Sequence, residues 1–178
     1  MALGQRVTVL LVTGSRALTA YPWAVTWAVA QLRGEITRTG HAPPDRLVTG
    51  DAIGPDTWAA DTSTAAGVLV TRWTIAGEVQ QREGGRLGRW YLSGHWCPPH
   101  EVPPSGQRGA WRSQCLRRDR EMVRAVGEGR YGLPARVLAL VAPWSRTRGT
   151  AWTAHIAREA GLPVDWRVAP AFAPAVTP

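Results

Sequence analysis

The sequence contains no lysine and no asparagine, and only two cysteines, Cys97 and Cys115. Two cysteines in 178 residues cannot form the dense disulfide framework of a small secreted scaffold, so a cytoplasmic location is expected. Long apolar runs are also missing. The longest, such as Val137 to Pro143, fall far short of the ~20 residues that cross a bilayer, so no membrane partner is expected. The opening "MALGQRVTVLLVTGSR" has no basic region before its apolar stretch and no cleavage site after it, and reads as a first strand rather than a signal peptide. No Walker A sequence occurs. "GEGRYG", Gly127–Gly132, has the form G-x-G-x-x-G but follows a helix and precedes a strand, the reverse of the dinucleotide-binding context. His95, Cys97, His100 and Cys115 match no zinc-ligand spacing, so no metal or cofactor is expected.

What is present is arginine: all 21 basic residues, against 13 acidic ones, for a net charge of +8. Ten tryptophans stand beside a single phenylalanine. That pattern suggests a GC-rich coding source, so the arginine excess is partly compositional and argues only weakly for nucleic acid. Where guanidinium groups converge they still suit phosphate, which they can bind through two parallel hydrogen bonds. At 44% hydrophobic and 19% charged residues, the chain reads as one globular domain.

Apolar runs alternate with helical patterns. Val7–Val12 reads as a buried strand, and Val25, Val29, Leu32 and Ile36 recur at helical spacing, with Thr19 as a candidate cap and Pro22 in the first turn. Arg46–Thr49 and Val68–Ile75 are further strands, separated by the helix "DTWAADTSTAAG" with Asp56 as candidate cap. "CLRRDREMVRAVGE" is a helix with Leu116, Met122, Val123 and Val126 inward; strand Val137–Val141, helix Thr150–Ala160 and strand Val164–Val168 follow. The expected fold is an α/β, Rossmann-like three-layer α/β/α sandwich around a mostly parallel five-stranded sheet. It covers residues 1–170, with a Gly/Pro/Trp-rich insert at about 77–110 that suits a lid or dimer arm, and a Pro/Ala-rich tail at 171–178.

In such folds ligands bind beyond the carboxyl ends of the strands. "LVTGSR" and "LVTGD" close two strands almost identically. Gly14 allows a sharp turn and close backbone approach, Ser15 can hydrogen-bond a phosphate, and Arg16 can neutralise it. In Gly50-Asp51-Ala52-Ile53-Gly54-Pro55-Asp56, two glycines suit backbone donation to phosphate, while Asp51 and Asp56 can accept ribose hydroxyls. Arg148-Gly149-Thr150 opens a helix with free N–H groups, a hydroxyl and the positive end of the dipole.

The ordered set "VTGSR", "VTGDAIGPDTWAAD", "RRDREM" and "SRTRGTAWTAHIAREAGLPV" resembles the SLOG superfamily, specifically its YspA/YpsA-related branch, over Val7 to Val168. The resemblance implies a Rossmann-like fold that binds nucleotides or nucleotide-derived ligands, often as a homodimer. Relatives include the LOG phosphoribohydrolases, the single-stranded-DNA-binding DNA-processing protein A group, and ligand-sensing domains of prokaryotic conflict systems. It assigns Gly14, Ser15 and Arg16 to a first ligand loop and Gly50, Asp51, Gly54 and Asp56 to a second. Arg118, Asp119, Arg120 and Glu121 fall in a polar helix, and Arg148, Gly149 and Thr150 in the phosphate loop. Asp119 replaces the usual asparagine. Thr153 stands where LOG hydrolases carry a glutamate, a carboxylate that would stabilise the oxocarbenium-like state of N-glycosidic cleavage.

Three functions follow. The first is binding of a nucleotide or ADP-ribose-type ligand at the C-terminal edge of the sheet, as a sensor. The second is a LOG-like phosphoribohydrolase acting on a nucleoside monophosphate, with Glu121, Asp119, Asp51 and Arg118 as candidate catalytic residues. The third is single-stranded nucleic-acid binding by Arg108, Arg112, Arg117, Arg118, Arg120 and Arg124 beside Trp111.

Overall fold

The computed structural model describes residues 8–37, 42–74, 77–81, 91–92, 95–96, 108–132, 134–146 and 148–172. The elements run β1 (Val9–Gly14), a 3₁₀ turn (Arg16–Ala20), α1 (Pro22–Ile36), β2 (Arg46–Thr49), α2 (Pro55–Ala65), β3 (Leu69–Thr74) and β4 (Gly77–Gln81). They continue with a minimal hairpin, β5 (Tyr91–Leu92) and β6 (His95–Trp96), then α3 (Arg108–Gly127), β7 (Ala135–Val141), α4 (Arg148–Glu159) and β8 (Val164–Val168).

The apolar strands β1 and β7 form the middle of the sheet, buried on both faces, as a near-continuous run of Val, Leu and Ala requires. The sheet order is β4-β3-β2-β1-β7-β8, parallel from β3 through β8, which is a Rossmann-like arrangement. The five parallel strands are those expected, and β4 adds a sixth at the edge. β4 pairs antiparallel with β3, Thr74 opposite Gly77, so the first residues of the supposed insert extend the sheet. A reversal this tight needs no crossover helix, so it leaves no helical pattern in the sequence to announce it.

Helices cover both faces. On one, Ala24, Ala28, Leu32 and Ile36 of α1 and Ala59 and Ala60 of α2 pack on Leu10, Val12, Leu47, Leu138 and Leu140. On the other, Met122, Val123 and Val126 of α3 and Ile156 and Ala157 of α4 pack on Val9, Leu11, Val48 and Val137. The expected Leu32 and Ile36 are buried, but in the first half of α1 the buried stripe runs through Ala24 and Ala28, and Val25 and Val29 are half-buried beside it.

Two expected caps are also corrected. The residue capping α1 is Tyr21, without a side-chain bond, followed by Pro22 in the first turn. Thr19 instead donates from Oγ1 to the carbonyl of Arg16 and closes the preceding 3₁₀ turn. α2 is capped by Gly54, and Asp56 lies inside its first turn.

Between β1 and β7 the chain reverses its direction of travel across the sheet. β1 leads by way of α1 to β2 on one side, whereas β7, on the other side, leads by way of α4 to β8. The parallel register puts the ends of β2, β1 and β7 side by side, with Val12 opposite Thr49 and Gly14 opposite Leu140.

Candidate functional site

The loops after β1 and β2 interlock. Ser15 N donates to the carbonyl of Leu140 at 2.8 Å, tying the first loop to the end of β7. The Ser15 hydroxyl accepts from Ala17 N at 3.3 Å and so caps the 3₁₀ turn. A methyl group on Gly14 would lie 2.4 Å from Pro55, so only glycine lets the start of α2 rest on the end of β1. Gly54 has φ +99°, a conformation that glycine adopts without strain, and a methyl added there would meet Thr19 Cγ2 at 3.3 Å and Arg16 Cα at 3.8 Å. Arg16 itself is exposed at this edge.

Behind these loops lies a buried charge cluster. Arg118, from α3, donates to Asp119 Oδ1 through Nε at 3.0 Å and Nη2 at 2.8 Å, and its Nη1 donates to Asp51. Only 9% of its side chain is exposed. Burial alone would lower the Arg118 pKa, but the charges of Asp119, Asp51 and Asp56 outweigh it and hold the group firmly cationic. Gly50 makes room for the cluster: a methyl there would stand 2.4 Å from Asp56 Oδ2 and 3.2 Å from the Arg118 guanidinium. Asp56 accepts from Ala52 N at 3.3 Å. It is fully buried, and desolvation, reinforced by the charges of Asp119 and Asp51 and only partly offset by Arg118, pushes its carboxyl up to about 7. Thr153 Oγ1 lies 3.1 Å from both Asp119 Oδ2 and the carbonyl of Gly149, a bridge from the cluster to the first turn of α4.

Arg72 of β3 belongs to the same cluster and was missed by sequence reasoning. It is buried and donates from Nε to the carbonyl of Gly50 at 3.3 Å, while its Nη2 is buried without a hydrogen-bond partner. Burial lowers its pKa, opposed by the charges of Asp56 and Asp51. The signal was present: an arginine inside the apolar strand "VLVTRWT" has to find carboxylates, because an isolated buried charge is too costly.

Of the residues singled out from sequence, Asp51, Asp56, Arg118 and Asp119 come together, with Gly50 providing the space. Arg148 and Gly149 are exposed at the start of α4, nothing among the described residues lies within 4 Å of a methyl added at Gly149, and Thr150 is buried. Glu121 and Arg120 stand apart. Glu121 is exposed and pairs with Arg117 at 3.7 Å, and the Arg120 guanidinium lies over the Trp152 ring at 5.5 Å. Arg124 is likewise paired along the helix, with Glu128 at 2.7 Å. Arg108 and Trp111 side chains, with Cys97 and His100, lie outside the described residues.

Among the described residues, no group of three or more His, Cys, Asp or Glu could hold a metal ion, and no helix is long and apolar enough to cross a membrane. A shallow groove at the opposite edge of the sheet is lined by apolar residues, among them Pro134, Ala160, Leu162 and Pro163, and brings no charged group together. Compared with protein-family models, curated proteins and solved structures, the chain matches none.

Proposed function

We propose that the chain binds a nucleotide or a nucleotide-derived, ADP-ribose-type ligand at the C-terminal edge of its sheet, and acts as a ligand sensor. The observation that carries this reading is that β1, β2 and β7 end side by side at the switch point of strand order, where the Gly14 and Gly50–Asp56 loops follow, with Thr153 linking the first turn of α4 to Asp119. Open α/β sheets bind ligands at that point, and a helix N-terminus there offers unpaired N–H groups and the positive end of its dipole to phosphate. Arg16 and Arg148 are both exposed at this edge and supply the neutralising charge. Arg118 serves the ligand indirectly, by fixing Asp51 and Asp119 beside the loops.

The test is thermal stabilisation by a nucleotide panel. Arg148→Ala and Gly149→Val are expected to abolish the stabilisation seen with the unmodified chain. Unchanged stabilisation in both variants would sink the site.

One observation favours a second reading, a phosphoribohydrolase. Asp56 titrates at about 7 within the same cluster, a value matched to proton transfer at neutral pH. Against it, Asp51 and Asp119 are already engaged by Arg118, and Glu121 faces solvent. Mass spectrometry of the same panel separates retained ligand from released base.

A further inference from the structure

Beside the switch point lies a cluster of three aromatic rings, two of which, Trp23 and Trp144, pack against the core and carry the third, Tyr21, at the surface. Tyr21 joins the 3₁₀ turn to α1, Trp23 lies in the first turn of α1, and Trp144 follows the end of β7. Tyr21 and Trp23 stack with centroids 5.8 Å apart and planes at 15°. Trp144 stands edge-on to both, at 5.3 Å from Tyr21 and 5.1 Å from Trp23. Trp144 is pinned by its Nε1, which donates to the carbonyl of Ala17 at 3.3 Å, in the turn that Ser15 caps. Two rings press on Tyr21, yet it remains 46% exposed.

We infer that Tyr21, backed by Trp23 and Trp144, is the platform on which the heteroaromatic base of the nucleotide stacks. This rests on the proposed function and adds the base to its phosphate site. Three features point to it. The rings come from the chain segments that follow β1 and β7, the two strands flanking the crevice, so the platform is continuous with the phosphate loops. Its members already stack in parallel and edge-on arrangements, so the outer ring is held rigid before a ligand arrives, and little order is lost on binding. The outer ring is a tyrosine, which offers an apolar face with a polar rim suited to a base partly open to water. Stacking on a ring is tolerant of base identity, so the inferred ligand class is nucleotides with any planar base, discriminated from sugar phosphates rather than from one another.

The experiment titrates the full chain with AMP, GMP, CMP, UMP, ADP-ribose and ribose 5-phosphate, each alone, by calorimetry. Each nucleoside monophosphate is expected to bind about 10-fold or more tightly than ribose 5-phosphate. Tyr21→Ala should remove that advantage while leaving ribose 5-phosphate binding unchanged, and Tyr21→Phe should retain it. An equal loss for both ligand types, or no loss for either, with ribose 5-phosphate still bound, overturns the base platform alone. Absence of binding by every probe to the unmodified chain overturns the phosphate site and the platform together. A melting curve of Tyr21→Ala matching the parent shows that a changed affinity reports on the ring and not on the fold.

Discussion

The two sides of the candidate site use glycine for different reasons. On the β1–β2 side the fold itself demands it: Gly14 yields to Pro55, Gly50 to Asp56 and Arg118, and Gly54 has a positive φ. On the β7 side, Gly149 sits in the first turn of a helix, and among the described residues nothing lies within 4 Å of an added methyl. Glycine there weakens the helix relative to alanine and relieves no crowding. Packing among the described residues therefore does not explain Gly149, as it does Gly14 and Gly50. The charges divide less cleanly, since Arg16 on the first half is exposed as well. Arg118 is consumed by carboxylates inside the first half, whereas Arg148 on the second half is exposed.

The largest test of that contrast is Arg118→Ala. Removing the guanidinium leaves Asp51, Asp119 and Asp56 facing one another around Arg72 alone, and a loss of about 3–5 kcal/mol in unfolding free energy is expected. Chemical denaturation measures it, and a loss below about 1 kcal/mol would mean that the cluster is solvated like a surface pair.

Next comes the pH dependence that Asp56 imposes. Its folded-state pKa lies above its ordinary value, so between about 4 and about 7 the folded state holds a proton that the unfolded chain has released. Stability therefore falls as pH rises through that window, by on the order of 4 kcal/mol if the whole shift is expressed, and levels off above it. Asp56→Asn should flatten the decline. Glu35 works in the opposite direction: burial raises its pKa, but hydrogen bonds and charge from Arg167 and Arg136 outweigh this and leave it below the usual carboxylate range. Its contribution is present above the unfolded value and is lost as pH falls, so Asp56→Asn is needed to isolate the Asp56 effect. Equal slopes in parent and variant between pH 4 and 7 would show that Asp56 ionises normally.

The smallest effect is the most direct comparison. Gly14→Ala is expected to cost about 1–3 kcal/mol by overpacking against Pro55. Gly149→Ala should be neutral or stabilise by up to about 1 kcal/mol. Thermal melts of the two variants side by side decide it, and equal destabilisation would erase the distinction between the two halves.

Much of this was legible in the sequence. Strand alternation gave the layers, since Val9–Val12 and Val137–Val141 are apolar on every position and have to be covered on both faces. The paired Val-Thr-Gly endings located the loops because β1 and β2 end side by side. Other features were not legible, for reasons that are physical. β4 reads Gly-Glu-Val-Gln-Gln, too polar and too short to carry a strand pattern, and owes its place to pairing with β3. Asp56 has the position of a helix cap in sequence, but the chain turns at Gly54 and draws the carboxylate inward to Ala52 N. Arg72 looked like one arginine among 21, and only the fold places its charge near Asp56 and Asp51.

The contact between Gly14 and Pro55 has a consequence for how this protein can change over time. Each residue fills the space that the other would need in order to grow, across more than forty positions of chain. A larger residue at Gly14 can be accepted only after Pro55 has given way, and the intermediate is the less fit of the two. The first and second loops are therefore tied by packing and can change only together, whereas packing sets no such condition on Gly149 at the start of α4.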